Sequence, residues 1–388
     1  MKNDNSATLD LSQVPSPCYV LEADRLRSNM RLIRDVQDRA GIKIILAFKA
    51  FALWDAFPIV REMFDSATAS SLAEARLAAE ELGSKAYTYA PVYSQNEIDE
   101  ILANSRHITF NSLTQLERFT PAVTRAAHHV SVGLRVNPEL AQVDTDLYNP
   151  CVPGSRLGIL SSALPQSLPD IVEGLHCHAL CESSAEQTAN LVRTFEERFA
   201  PWLPQIKWVN FGGGHLMTRK GYDVELLVET LRGFRLRHPH LQVILEPGSA
   251  FAWQTGFLLS TVEDIVENAG VKTAILNVSF ACHMPDCLEM PYKPAIRGAH
   301  FDPVDGLPTY RMGGNSCLSG DYVGDWSFDK PLSVGDAIIF EDMIHYTTVK
   351  TTMFNGVSHP SIAIFDPKNG GLRVVRQFSY ADYRSRMG

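Results

Sequence analysis

The sequence contains no run of about 20 apolar residues, the length a membrane-spanning helix requires, so no span is expected. Its start, Met1-Lys2-Asn3-Asp4-Asn5, is polar and lacks the apolar stretch of a secretory signal. Positive charge is not in excess. The net charge is −9, which argues against nucleic acid as a partner and is compatible with a cationic ligand. Cysteine is sparse, and its count of seven is odd. Without an export signal this reads as reduced thiols in a cytoplasmic protein, not as a disulfide framework. Low-complexity segments and long linkers are missing too. What remains is an ordinary globular composition in 388 residues, enough for two domains or for one large α/β barrel with additions.

A strand-then-helix rhythm runs from about residue 24 to 250. Strands are expected at 43–48, 65–69, 86–90, 107–110, 131–136, 173–178, 207–211 and 242–246. Helices are expected between them, among others at 72–82, 95–104, 113–124, 185–199 and 224–237. Ser71 with Glu74, and Ser94 with Glu97, have the spacing of capping boxes. Eight such alternations predict a parallel (β/α)8 barrel, an α/β fold, over residues 23–260. After residue 260, valine, threonine and aromatic runs stand between Gly, Pro and Asn turns at 271–279, 336–340, 351–354, 361–365 and 372–378. These predict an antiparallel β domain, sandwich- or barrel-like, from residues 261–388 together with 1–22, whose 18–21 run is strand-like.

Active sites on such barrels lie at the C-terminal ends of the strands. Lys49, Arg135, Asn137, His176, His178, Gly212-Gly213-Gly214 and Glu246 all fall there. Lys49 follows the apolar run Ile44-Ile45-Leu46-Ala47-Phe48. A lysine in that setting must find a counter-ion, lose its proton or form a covalent bond. Burial lowers its pKa and makes the amine a nucleophile toward aldehydes such as that of pyridoxal 5'-phosphate (PLP). The plain alternative is a strand-end lysine that snorkels to the surface. Three glycines between a strand and a helix let backbone approach an anion and aim N–H groups at it, although they also suit a simple turn. Glu246 is suited either to a salt bridge, for example with Arg135, or to a ring nitrogen that an ionised carboxylate keeps protonated. One of His176 and His178 could lie flat on an aromatic cofactor. A zinc site is not expected, because the His176-Cys177-His178…Cys181 and Cys282-His283…Cys287 spacings do not fit, and Cys177 faces away from both histidines.

Taken in order, Lys49, His176-Cys177-His178, Gly212-Gly213-Gly214, Glu246-Pro247-Gly248, Cys317 and Tyr346 resemble the fold-type III PLP enzymes, with their alanine-racemase-like barrel. Ornithine and diaminopimelate decarboxylases are members. The likeness covers nearly the whole chain. Finer segments resemble the carboxynorspermidine/carboxyspermidine decarboxylases: Pro15-Ser16-Pro17-Cys18-Tyr19-Val20, Ala47-Phe48-Lys49-Ala50, Cys282-His283-Met284-Pro285-Asp286, Leu288-Glu289-Met290-Pro291-Tyr292, Gly313-Gly314-Asn315-Ser316-Cys317 and Met353-Phe354-Asn355-Gly356.

The resemblance implies that Lys49 holds PLP covalently and His178 stacks on its ring. Gly212, Gly213, Gly214 and Tyr346 would take the phosphate, with Arg135 a further cofactor contact. Glu246 would pair with the ring nitrogen. Cys317 would be the acid near Cα, contributed across a homodimer interface. Asp286 would bind a substrate amine, with Glu246, Glu289 and Asp321 as further candidates for a long cationic substrate, a carboxylated polyamine. Ornithine-type members carry arginine after Glu-Pro-Gly where this chain has Ser249, and a Gly-Ser pair after the stacking histidine where it has Ala179-Leu180. Another decarboxylase of the fold, an amino-acid racemase and a non-catalytic regulatory relative are the competing readings. The racemase would need an arginine in place of Glu246, and the regulator should have lost Lys49 or Cys317.

Overall fold

The computed structural model describes residues 9–143 and 146–388. Met1-Lys2-Asn3-Asp4-Asn5, and with it the first part of the expected 1–22 segment, lies outside them. The chain forms two compact units, one of residues 28–251 and one of residues 1–27 with 252–388.

The first unit is a parallel barrel. Its strands are Lys43–Ile44 with Leu46–Ala47, Ala67–Ala69, Ala86–Tyr89, Ser105–Phe110, Ser131–Asn137, Val172–His176, Trp208–Asn210 and Gln242–Leu245. Lys43–Ile44 pairs with the last of these and Leu46–Ala47 with the second. One interrupted strand therefore closes the ring, which leaves no open edge. The barrel interior is packed, not hollow throughout. Gly133, Gly174 and Trp208 are in register on three adjacent strands. A Cβ on Gly174 would lie 2.0 Å from the Trp208 indole, and one on Gly133 2.3 Å from it. The two glycines make room for one tryptophan, which packs with Ile45, Tyr87 and Ile244.

The outer helices follow their capping and periodicity. Ala185–Phe199 opens on a capping box in which Ser184 accepts from the Gln187 amide and Gln187 accepts from the Ser184 amide. It buries Thr188, Leu191, Val192, Phe195 and Phe199, one helical stripe. Val224–Arg237 is capped by Asp223 and buries Leu227, Val228, Leu231 and Phe234. Leu72–Leu77 is capped by Ser71 as expected, and continues as a wider turn over Ala78–Leu82. Ser94 does not act as a cap. It donates its hydroxyl to the Glu97 carboxylate, and the helix begins only at Ile98.

The second unit is built on a mixed sheet, which corrects the expectation of a purely antiparallel one. Cys18–Glu22 pairs antiparallel with Gly256–Asn268 on one side and parallel with Ser361–Asp366 on the other. Val271–Leu276 also runs parallel to Thr309–Gly313. Tyr322–Phe328, Ala337–Glu341 and Gly371–Arg376 complete the main strands. The expected strand at 351–354 is absent: that stretch is loop and a short 3-10 turn, Phe354–Gly356. Val14, Cys18, Val20, Phe257, Leu259, Ile339 and Ala363 form a core cluster here. Among the described residues, no helix is long and apolar enough to cross a membrane.

Candidate active site

Arg135, His176 and Asn210 stand opposite one another on three neighbouring barrel strands. In a parallel sheet such in-register residues share a face. Glu246 follows the next strand, and its backbone N–H is tied to the Gly212 carbonyl at 2.8 Å. The end of the barrel is thus a ring of polar side chains in one layer.

Lys49 enters this ring from a tight turn in which the amides of Ala50 and Phe51 both donate to the Ala47 carbonyl. Buried Phe48, stacked on Phe57 at 4.9 Å, anchors the turn. Lys49 is solvent-accessible, although much of the protein packs around its amine. Burial holds its amine below the usual lysine range. Glu246 opposes that shift, and the Arg135 charge adds to it. Its Nζ lies 3.2 Å from His178 Nε2, and His178 Nδ1 lies 3.2 Å from Glu246 Oε1. Burial first, and the Lys49 charge next, pull His178 down to about 3, so the imidazole is neutral at physiological pH.

Both oxygens of Glu246 are held. His176 Nε2 is 3.0 Å from Oε1, and Asn210 Nδ2 donates to Oε2 at 3.0 Å. Burial alone would raise the carboxyl pKa. Its contacts with His176 first, and with His178, reverse this and hold it well below the ordinary value. Arg135 does not form the salt bridge with Glu246 that the sequence offers as one alternative. It donates to the His178 carbonyl at 2.9 Å, with its guanidinium 4.6 Å over the Tyr89 ring. Donor atoms of His176, His178 and Glu246 lie within 4.8 Å of one another, close enough to meet on a metal. The hydrogen bonds among them and the ammonium of Lys49 beside them make this a hydrogen-bonded chain that a second cation would have to break.

The glycine triplet passes through backbone that no side chain would tolerate. Gly212 and Gly214 have φ of +74° and +90°. A Cβ on Gly213 would sit 2.3 Å from the Glu246 carbonyl oxygen, and one on Gly214 2.0 Å from that of Leu180. The loop is a cradle of bare backbone beside a reachable amine, an ionised carboxylate and a neutral imidazole. That donor set fits PLP: an amine for its aldehyde, a carboxylate for its ring nitrogen, and for its phosphate the bare loop at Gly214, since the Gly212 and Gly213 amides already donate to Asn210 Oδ1 and His178 Nδ1.

The remaining candidates lie in the sheet unit. Cys317 is exposed, and its amide donates to Asn355 Oδ1 at 2.9 Å, with Asn355 itself at φ +57°. Tyr346 has φ +54°, an uncommon state for a bulky residue and one that clusters at functional sites. Asp286 and Glu289 flank one lysine, Lys350, which donates to both carboxylates. Asp321, expected at the substrate, is turned inward instead. It is 5% exposed and accepts from the amides of Ala281 and Ser316 and from the Ser316 hydroxyl, so it holds its own loop. Reading the sequence passed over Asn210 and Lys350. Asn210 carried a signal, a polar residue at a buried strand end just before the glycines; Lys350 carried none.

The family described as pyridoxal-dependent decarboxylase, C-terminal sheet domain, matches residues 18–344. A carboxyaminopropylagmatine decarboxylase of Synechocystis sp. is 51% identical over 97% of each chain. A carboxynorspermidine/carboxyspermidine decarboxylase of Campylobacter jejuni is 42% identical over 96% of this chain and 99% of its own. The crystal structure of C. jejuni carboxynorspermidine decarboxylase complexed with norspermidine superposes with a TM-score of 0.88 at 41% identity, over 96% of this chain and 100% of that one.

Proposed function

We propose, on the premise that this chain belongs to the family of pyridoxal-dependent decarboxylases, that it decarboxylates carboxynorspermidine or carboxyspermidine to the corresponding triamine. The observation that carries this reading is the likeness to the C. jejuni enzyme over nearly the full length of both chains, in sequence and in a fold whose solved counterpart is complexed with norspermidine. One observation favours a second reading, carboxyaminopropylagmatine as substrate: the 51% identity to the Synechocystis enzyme. By their names the substrates share a reacting end and differ at the far end, an ammonium or a guanidinium.

PLP, when bound, supplies an electron sink for the bond between Cα and the carboxylate. The chain supplies the rest. Lys49 offers an amine whose lowered pKa favours its neutral, nucleophilic form. With PLP bound, His178 would lie against the ring, and Gly212, Gly213, Gly214 and Tyr346 would receive the phosphate. Glu246, kept ionised, would hold the proton on the ring nitrogen. Cys317 would supply a proton to Cα from the neighbouring subunit of a cytoplasmic homodimer. Asp286 and Glu289 receive ammonium groups of the substrate in exchange for Lys350, a swap of one cation for another that costs little net desolvation.

The test is kcat/KM measured side by side on carboxynorspermidine, carboxyspermidine and carboxyaminopropylagmatine. The highest value is expected for one of the first two. A higher value for the guanidino compound selects the second reading, and turnover of none of them overturns the polyamine assignment.

A further inference from the structure

Three side chains hold Glu246, but only two of them stand apart from the reacting groups. His178 bridges Glu246 and Lys49, at 3.2 Å from each, so it changes partners whenever Lys49 does. His176 and Asn210 touch Glu246 from neighbouring strand ends. Asn210 has its orientation fixed at both ends, because its carbonyl oxygen accepts the Gly212 amide at 2.8 Å. His176 has no such second partner within the protein. It is 1% exposed, and its Nδ1 is buried without a hydrogen bond among the described residues.

His176 lines a small polar pocket in the barrel, with space on the order of one water molecule, whose walls include Thr68, Thr88, Thr109, His107 and Glu246 but neither Lys49 nor His178. His107 Nδ1 is likewise without a partner. Two unmatched imidazole nitrogens on one polar cavity are the setting in which buried water is retained. Leaving either nitrogen unsatisfied would carry the desolvation penalty of a buried polar group. A carboxylate can only accept, so His176 must donate from Nε2. In the neutral ring its Nδ1 is then an acceptor and needs a donor.

We propose that His176 is a positioning residue for Glu246: it donates Nε2–H to Oε1 in a single tautomer, and ordered water in the barrel cavity fixes that tautomer by donating to Nδ1. The consequence is a carboxylate whose position and charge do not depend on what His178 and Lys49 are doing. The inference rests on the PLP-dependent reading of the site, but not on which polyamine is turned over.

The experiment uses the PLP-loaded enzyme. Ring ¹⁵N NMR of His176, assigned by comparison with His176→Phe, is expected to show the Nε2–H tautomer at about pH 8 to 9, above the ordinary histidine pKa. The Nδ1–H tautomer, or rapid exchange between the two, overturns the proposal whatever the substrate. His176→Phe keeps a ring and removes the donor. It is expected to lower kcat by about 10–100-fold, the scale of leaving a buried charged group short of one hydrogen bond, with KM changed less. His176→Gln places an amide where Nε2 was and should recover most of the loss, whereas His176→Asn, which mimics Nδ1, should not. Equal activities for Gln and Asn, or full activity for Phe, would show that the ring only fills space. A Phe variant that does not fold leaves the decision to the Gln and Asn pair, with the wild-type signal then assigned from either one.

Discussion

Glu246 shows how much of the chemistry rests on single side chains. A buried carboxylate is ordinarily driven toward its neutral form, and here two imidazoles and an amide reverse the tendency. Glu246→Gln keeps the shape and the contact with Asn210 in one orientation, but it removes the charge. Its kcat is expected to fall about 10²–10³-fold, the scale of losing one preorganised electrostatic group. PLP affinity, measured by fluorescence titration, should change far less, because the phosphate cradle is untouched. An unchanged kcat would mean that the carboxylate serves packing alone. At this scale the sequence was informative: Lys49, His178 and Glu246 were legible because strand-end polar residues in apolar runs have few structural uses. The partners of Glu246 were not, because nothing in a sequence says which of several strand-end polar groups will meet.

Among the elements, strands read well where burial has one period. Cys18–Glu22, Ser131–Asn137 and Val172–His176 are short and buried along almost their whole length. Gly256–Asn268 was missed because its first half is buried and its second half is exposed, so no single pattern covers it. The segment at 351–354 looks like a strand from its threonines and phenylalanine, yet it is loop leading into a 3-10 turn, and its Thr352 amide donates to the Cys282 carbonyl. The glycine loop is the element on which the site depends most. Gly214→Ala adds a Cβ 2.0 Å from the Leu180 oxygen at a φ of +90°. Overpacking of this kind costs about 1–3 kcal/mol. The variant should unfold at lower urea and bind PLP more weakly, both readable by fluorescence. Wild-type values in both measurements would show that the loop yields without cost.

At the scale of the whole molecule, each unit has its own stabilising charge logic. In the sheet unit Arg27 grips Asp366 through two hydrogen bonds, of 3.0 and 2.9 Å, and both residues are buried. Arg27 holds the Asp366 carboxyl down at about 2, against an ordinary 3.8. A depressed carboxyl contributes stability that is whole above the unfolded value and lost as pH falls through the folded one. Urea midpoints should therefore decline between about pH 3.8 and about 2 in the wild type. Asp366→Asn should flatten that decline, at a cost near pH 7 of about 3 kcal/mol, the low end for breaking a buried pair because Asp24 still lies 3.3 Å from Arg27. An equal decline in the variant would place the acid sensitivity elsewhere. For the assembly, mixing Lys49→Ala with Cys317→Ala subunits in equal amounts should restore about a quarter of wild-type activity. In the homodimer proposed above, with sites shared across its interface, half of the dimers would be hybrids, each with one intact site. Mixed subunits that exchange and remain inactive would mean that Cys317 does not serve a neighbour's site.

The sequence by itself determined the barrel, its eight strand ends and the chemical kinds of residue placed on them. Burial patterns of period two and 3.6 are local, and amine, carboxylate and glycine chemistry is intrinsic to the side chain. Only the tertiary structure decided that one interrupted strand closes the ring, that Gly133 and Gly174 exist to seat Trp208, and that Asp321 serves its loop. It also decided that His176 and Asn210 share Glu246 between them. Those outcomes depend on register between strands that are tens of residues apart, and a one-residue slip, invisible in composition or spacing, would have turned each of these side chains to the opposite face.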